Sequence, residues 1–132
     1  MFESIPNLLF AVAALALARF VVFNTVGNAL GGPNAEEQEQ IRTLLADGEA
    51  TLVDVRTPRE FSSGRVDGAK NIPVQQLEER LDELEDKDQA VLVYCRSGNR
   101  SGRAARMLEK AGFENVYDLG SLASAQKVVE RP

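Results

Sequence analysis

Val91–Leu92–Val93–Tyr94–Cys95–Arg96–Ser97–Gly98–Asn99–Arg100–Ser101–Gly102 runs from apolar residues into a cysteine, through a short glycine-bearing loop, to a serine that opens a helical pattern. Ala90–Tyr94 is apolar throughout, which predicts a strand covered on both faces. Ser101 is placed to cap a helix through Ala111, with Ala104, Ala105, Met107, Leu108 and Ala111 as its packing stripe and Gly112 as its stop. A strand, tight loop and helix start gather backbone N–H groups around one point, and the helix dipole adds positive potential there. A thiol at that point ionises readily, and Arg96 and Arg100 add charge beside it. The competing reading is a structural cysteine ending a core strand, because free Cys is among the most buried residue types.

Outward from this stretch, strands and helices alternate. Glu36–Gly48 suggests a helix with Ile41, Leu44 and Leu45 on one face, and Thr51–Val55 a buried strand. Pro58 can start a short helix through Phe61, and Gly64 and Gly68 punctuate the loop beyond it. Val74–Leu84 reads as a surface helix with Leu77, Leu81 and Leu84 inward, and Asn115–Leu119 as a further strand. Such alternation implies an α/β fold, a small parallel sheet flanked by helices. Ligands in these sheets bind beyond the carboxyl ends of the strands, where Cys95 falls. Gly98 sits where the loop needs a positive φ or a close backbone approach. Asp54 and Arg56 end the first strand, and Arg56 is placed to pair with Glu60.

Residues 1–23 differ from the rest. Positions 5–23 are apolar except at Arg19 and would span roughly 28 Å as a helix, close to a bilayer core. This predicts an N-terminal hydrophobic helix acting as a membrane anchor or signal segment. Gly27–Asn28–Ala29 offers a small-x-small cleavage site, although the preceding segment opens with Glu3 rather than Lys or Arg. Residues 24–34 hold Gly27, Gly31, Gly32 and Pro33 and read as a linker, leaving 35–132 as the folded domain. The expected location is a bacterial-type cell membrane or envelope. Arg19, near the C-terminal end of the segment, favours a domain on the cytoplasmic face.

Composition narrows the chemistry further. The 132 residues carry a net charge of −5, and Glu3 and Arg19 cancel, so the acidic excess belongs to the downstream domain. That excess argues against nucleic acid as a partner. A single cysteine excludes an intrachain disulfide, a Cys-x-x-Cys pair and a thiolate zinc cluster, so no metal site is expected. With no histidine at all, Cys–His and Ser–His–Asp machinery is excluded too. Loop amides and arginines must activate Cys95.

The Cys95 loop resembles the active-site loop of the rhodanese family of single-domain sulfurtransferases. Leu52–Val53–Asp54–Val55–Arg56–Thr57–Pro58–Arg59–Glu60–Phe61 is similar to the family's first signature, and Gly64–Arg65–Val66–Asp67–Gly68–Ala69–Lys70–Asn71–Ile72–Pro73 to its second. Ala111–Gly112–Phe113–Glu114–Asn115–Val116–Tyr117–Asp118–Leu119–Gly120 resembles the strand after the active-site helix. The likeness runs from about Ala35 to about Leu122. Arg65 stands where the second signature often has His, and Gly120–Ser121–Leu122 replaces the usual Gly-Gly and later Trp. Periplasmic members of the family pull the domain to the other side of the membrane, so its side stays open.

The resemblance implies a double displacement. Cys95 thiolate takes the outer sulfur of thiosulfate or another sulfane-sulfur donor, and passes it from a persulfide to cyanide, a thiol or a thiol protein. Arg96, Ser97, Gly98, Asn99, Arg100 and Ser101 are the candidate donor-binding residues, through their amides and through the two guanidinium groups. No cofactor is required. A persulfide carrier without turnover needs the same thiolate and is the main alternative. A Cys-x5-Arg phosphatase loop would put arginine at position 101, whereas it stands at Arg100.

Overall fold

The computed structural model describes residues 32–84 and 86–130. The anchor expectation for residues 5–23, and all but the last three positions of the 24–34 linker, lie outside them. Among the described residues, no helix is long and apolar enough to cross a membrane.

Residues Gly31–Pro132 form one compact unit. Its elements are α1 (Ala35–Ala46), β1 (Ala50–Asp54), α2 (Pro58–Ser63), β2 (Lys70–Asn71), two 3₁₀ segments (Val74–Gln76 and Glu78–Glu83), β3 (Ala90–Cys95), α3 (Asn99–Lys110), β4 (Val116–Ser121) and α4 (Leu122–Val129). The four strands form one sheet in the order β2-β1-β3-β4, every pair parallel. This is the α/β architecture expected from the alternation of elements.

β3 is central and buried at all six positions, as its unbroken apolar run requires. Each of its Val and Leu side chains contributes about 1.5–3 kcal/mol by leaving water. Val91, Val93 and Cys95 share one face and enter a core with Ala104 and Leu108 of α3. Leu92 and Tyr94 alternate to the other face. There α1 and α4 pack on each other, α1 against β1 and α4 against β3 and β4.

Local chemistry sets the ends of the helices. Asn34 and Glu37 form a reciprocal capping box on α1, and Thr57 with Glu60 does the same on α2, where Pro58 takes the first turn. α3 ends in a Schellman turn: Gly112, at φ 99°, donates to the Glu109 carbonyl and Phe113 to that of Leu108.

One expectation needs correction, and two features were not foreseen. Val74–Leu84 is not one α-helix but two 3₁₀ pieces broken at Arg80 (φ −116°, ψ 20°). The core-facing positions explain this: Val74 and Leu77 are three apart, as are the partly buried Leu81 and buried Leu84, a 3₁₀ spacing with the kink absorbing the fourth residue between them. The last strand extends to Ser121 and leads into α4, which was not foreseen. β2 is a two-residue strand, too short for any period to register.

Candidate active site

Cys95 is fully buried and free, at the carboxyl end of the central strand. Gly98 then turns the chain at φ 97°, a conformation that strains any residue with a side chain. The turn aims the Gly98 N–H at the sulfur, with N···Sγ 3.0 Å. α3 starts at the next residue, so its positive end points to the same place.

Ser101 completes the enclosure. Its Oγ lies 3.6 Å from the Cys95 sulfur and 3.0 Å from the Gly98 carbonyl, so its one proton can turn to either. It is therefore not the helix cap but a buried first-turn residue. Gly98 occupies the cap position, and the helix starts three residues earlier than expected, with the Gly98 amide satisfied by sulfur instead of a serine side chain. Burial pushes the Cys95 thiol up, but the Ser101 hydroxyl and the amides of Ser101, Gly98 and Ser97 together outweigh it and hold the thiol below its ordinary range. The site favours a thiolate without a base.

A bulge in the β3–β4 pairing brings the far wall in. Val93 pairs with Asp118 but Tyr94 with Gly120, so the chain gains a residue at Leu119. The bulge sets Gly120 against the loop: a β-carbon on Gly98 would sit 3.8 Å from the Gly120 Cα, and the Ser101 Oγ lies 3.5 Å from its carbonyl.

The two loop arginines have different surroundings. Arg96 is exposed and holds no carboxylate among the described residues. Arg100 is bidentate on Glu60 of α2, at 2.7 and 2.9 Å. Ser97 on the loop and Asn99 at the start of α3 are exposed. Arg59 is exposed on α2, with no ion pair among the described residues.

The expected Arg56–Glu60 pair does not form. Arg56 instead grips Asp54, with Nε at 3.0 Å from both carboxylate oxygens and Nη2 at 2.6 Å, and also reaches the Gly64 carbonyl. Asp54 is only two residues away and fully buried, so it competes better than the part-exposed Glu60. Glu60 is the site residue that sequence reasoning missed. The Thr-x-x-Glu capping box was readable, but not the carboxylate's reach to an arginine forty positions on. No group of three or more His, Cys, Asp or Glu able to hold a metal occurs among the described residues.

The rhodanese-like domain family matches residues 37–124, two-thirds of the chain. This chain belongs to the rhodanese-like domain family. It is 46% identical over 89 residues to the uncharacterised protein YqhL of Bacillus subtilis, covering 62% of this chain and 70% of that one. To the thiosulfate sulfurtransferase PspE of Escherichia coli it is 38% identical over 71 residues, covering 53% of this chain and 68% of the relative. Among solved structures it is similar to a rhodanese with anions from E. coli, with TM-score 0.55, 36% identity, and coverage of 57% of this chain and 89% of that one. Membership of this family supports sulfur transfer as the class of activity.

Proposed function

We propose that this chain is a thiosulfate sulfurtransferase that carries sulfane sulfur on Cys95. The observation that carries the reading is the Gly98 N–H at 3.0 Å from a buried sulfur at the start of α3. Likeness to PspE, a thiosulfate sulfurtransferase, and to a rhodanese whose structure holds anions supports an anionic donor.

Cys95 thiolate attacks the outer sulfur of thiosulfate. The S–S bond breaks, sulfite leaves with the electron pair, and the enzyme holds a persulfide anion. Cyanide or a thiolate then attacks the outer persulfide sulfur, and Cys95 leaves as thiolate again. Both steps conserve charge and need no outside oxidant. The amides that favour the thiolate also favour the persulfide anion. Arg96, on the loop and without a carboxylate partner among the described residues, is placed to meet the donor's sulfonate oxygens, while Arg100, tied to Glu60, holds the loop.

Intact mass of the protein after thiosulfate treatment, with a Cys95→Ser control and a cyanide chase, tests this. A gain of one sulfur, lost as thiocyanate appears and absent in the control, is the expected result. Loading without turnover would make the chain a carrier. No loading at all would remove thiosulfate as donor. Membrane or envelope targeting rests on residues 5–23, and carbonate extraction of the full-length protein from membranes checks it.

A further inference from the structure

The chain's charge is unevenly placed. Between Ala90 and Ala111 stand Arg96, Arg100, Arg103, Arg106 and Lys110 against Glu109 alone, while the remainder holds ten basic and nineteen acidic residues. Arg42, Arg56, Lys70, Arg80 and Arg100 each hold a carboxylate. Arg96, Arg103, Arg106 and Lys110 are exposed and, among the described residues, hold none. Arg59, Arg65, Lys87 and Lys127 are likewise without an ion pair among the described residues but stand apart along the sequence, whereas Arg96, Arg103, Arg106 and Lys110 cluster on the loop and helix that follow the nucleophile.

Positions 103, 106 and 110 share one face of α3, and Met107 lies in the same arc. Met107 and Lys110 also line a groove of about 310 Å³, completed by Glu78, Leu81 and Ala111. Glu78 is its one acidic group. Cations and groove together run from the Cys95 loop to the end of a helix about 18 Å long. A small anion at Cys95 reaches only the loop.

We propose that this face of α3 docks the sulfur acceptor, an acidic polypeptide segment that presents a cysteine and one apolar side chain. The inference rests on the sulfurtransferase reading and adds the class of partner. Complementary charge guides the segment in, Met107 and Leu81 receive its apolar side chain, and its thiolate meets the loaded cysteine. That thiolate attacks the outer sulfur of the Cys95 persulfide, the Sγ–S bond breaks, and Cys95 leaves as thiolate. The acceptor then carries the persulfide, with no net oxidation. Nucleic acid fits less well. The face offers no aromatic side chain for base stacking, Glu78 in the groove opposes phosphate, and the acidic remainder repels a polyanion.

Two cysteine peptides of equal length test this, one with Glu around a Cys and a Leu, the other with Lys in place of Glu. With thiosulfate-loaded protein, kcat/KM for the acidic peptide should exceed the basic one by about tenfold at ~50 mM salt and converge with it at ~500 mM. The charge-reversed triple variant Arg103→Glu, Arg106→Glu, Lys110→Glu should invert the preference while turning over dithiothreitol normally. If that variant has lost dithiothreitol turnover, Arg103→Gln and Arg106→Gln singly should each cut the preference about twofold. Fluorescence anisotropy of the same peptides with Cys replaced by Ser reads docking without sulfur chemistry, so failed loading and failed docking stay distinct. Equal binding of both peptides, or an oligouridylate that binds tighter than the acidic peptide and displaces it, overturns the proposal.

Discussion

β1 and β3 lie side by side, with Asp54 opposite Tyr94, and reach the same edge of the sheet. Their ends are built in opposite ways. After β1, side chains satisfy one another: Arg56 grips Asp54 and lies over the Tyr94 ring at 5.7 Å, while Asn71 donates to the Asp54 and Arg56 carbonyls at 3.0 Å each. The Tyr94 hydroxyl accepts from the Val66 amide, and burial pushes it up to about 12, so it stays neutral. After β3, the backbone does the work, and its amides converge on a sulfur. Paired side chains satisfy the corner after β1 from within. Amides left facing a thiolate make a reactive one.

The comparison separates chemistry from stability, and two substitutions test it most sharply. Cys95→Ser should lower turnover by at least about 10³-fold, as loss of a nucleophile does, while leaving the urea midpoint nearly unchanged. Asp54→Ala should do the reverse. It strands the Arg56 guanidinium in a buried setting, at a cost of about 3–5 kcal/mol in urea denaturation, while the fraction still folded loads sulfur normally. A stable Asp54→Ala protein that loads no sulfur would mean the corner after β1 takes part in the reaction.

The two ends were also unequally legible. The β3 end could be read because each step is local: an apolar run, a glycine at the turn, a helical stripe. Gly98 at positive φ and the cysteine at the strand end followed from neighbours in sequence. The β1 end was misread because pairing is decided by burial. Asp54 and Glu60 are both near Arg56 in sequence, and only the fold shows which one is shut away from water with it. The Glu60–Arg100 contact and the bulge that sets Gly120 beside Gly98 are tertiary, with no periodic signal. The 3₁₀ break at Arg80 was present in the leucine spacing, but a helical period of 3.6 fits the same residues almost as well.

A smaller effect sharpens the backbone side of the comparison. Ser101→Ala removes the one side chain that, among the described residues, bonds the sulfur and leaves the amides in place. Its loss should move the pH midpoint of Cys95 alkylation upward, because that hydroxyl helps hold the thiol low. Reactivity at neutral pH falls accordingly, and Ser101→Thr, which restores the hydroxyl, should recover part of it. An unmoved midpoint would leave the amides as the whole cause of the thiol's acidity.

The smallest effect lies where the two corners meet. Glu60, from the helix after β1, holds Arg100 from the loop after β3. The Arg100 guanidinium is the main cause, with Thr57 assisting against burial, that brings the Glu60 carboxyl down from 4.5 to about 2. A carboxyl lowered in the folded state stabilises above its unfolded value and loses that contribution as pH falls through the folded one. The pair should therefore contribute fully above about pH 4.5 and fade toward pH 2. Both partners are about a quarter exposed, so the contribution at neutral pH stays below about 1 kcal/mol. Glu60→Gln keeps an acceptor for Arg100 but not the charge, so the stability gap to the unsubstituted protein should narrow steadily as pH drops across that window. Glu83 titrates over the same range in both proteins, and its contribution cancels in the difference. A gap that stays constant with pH would show that a neutral hydrogen bond suffices to join the corners, and that the charge of Glu60 serves another purpose than holding the loop.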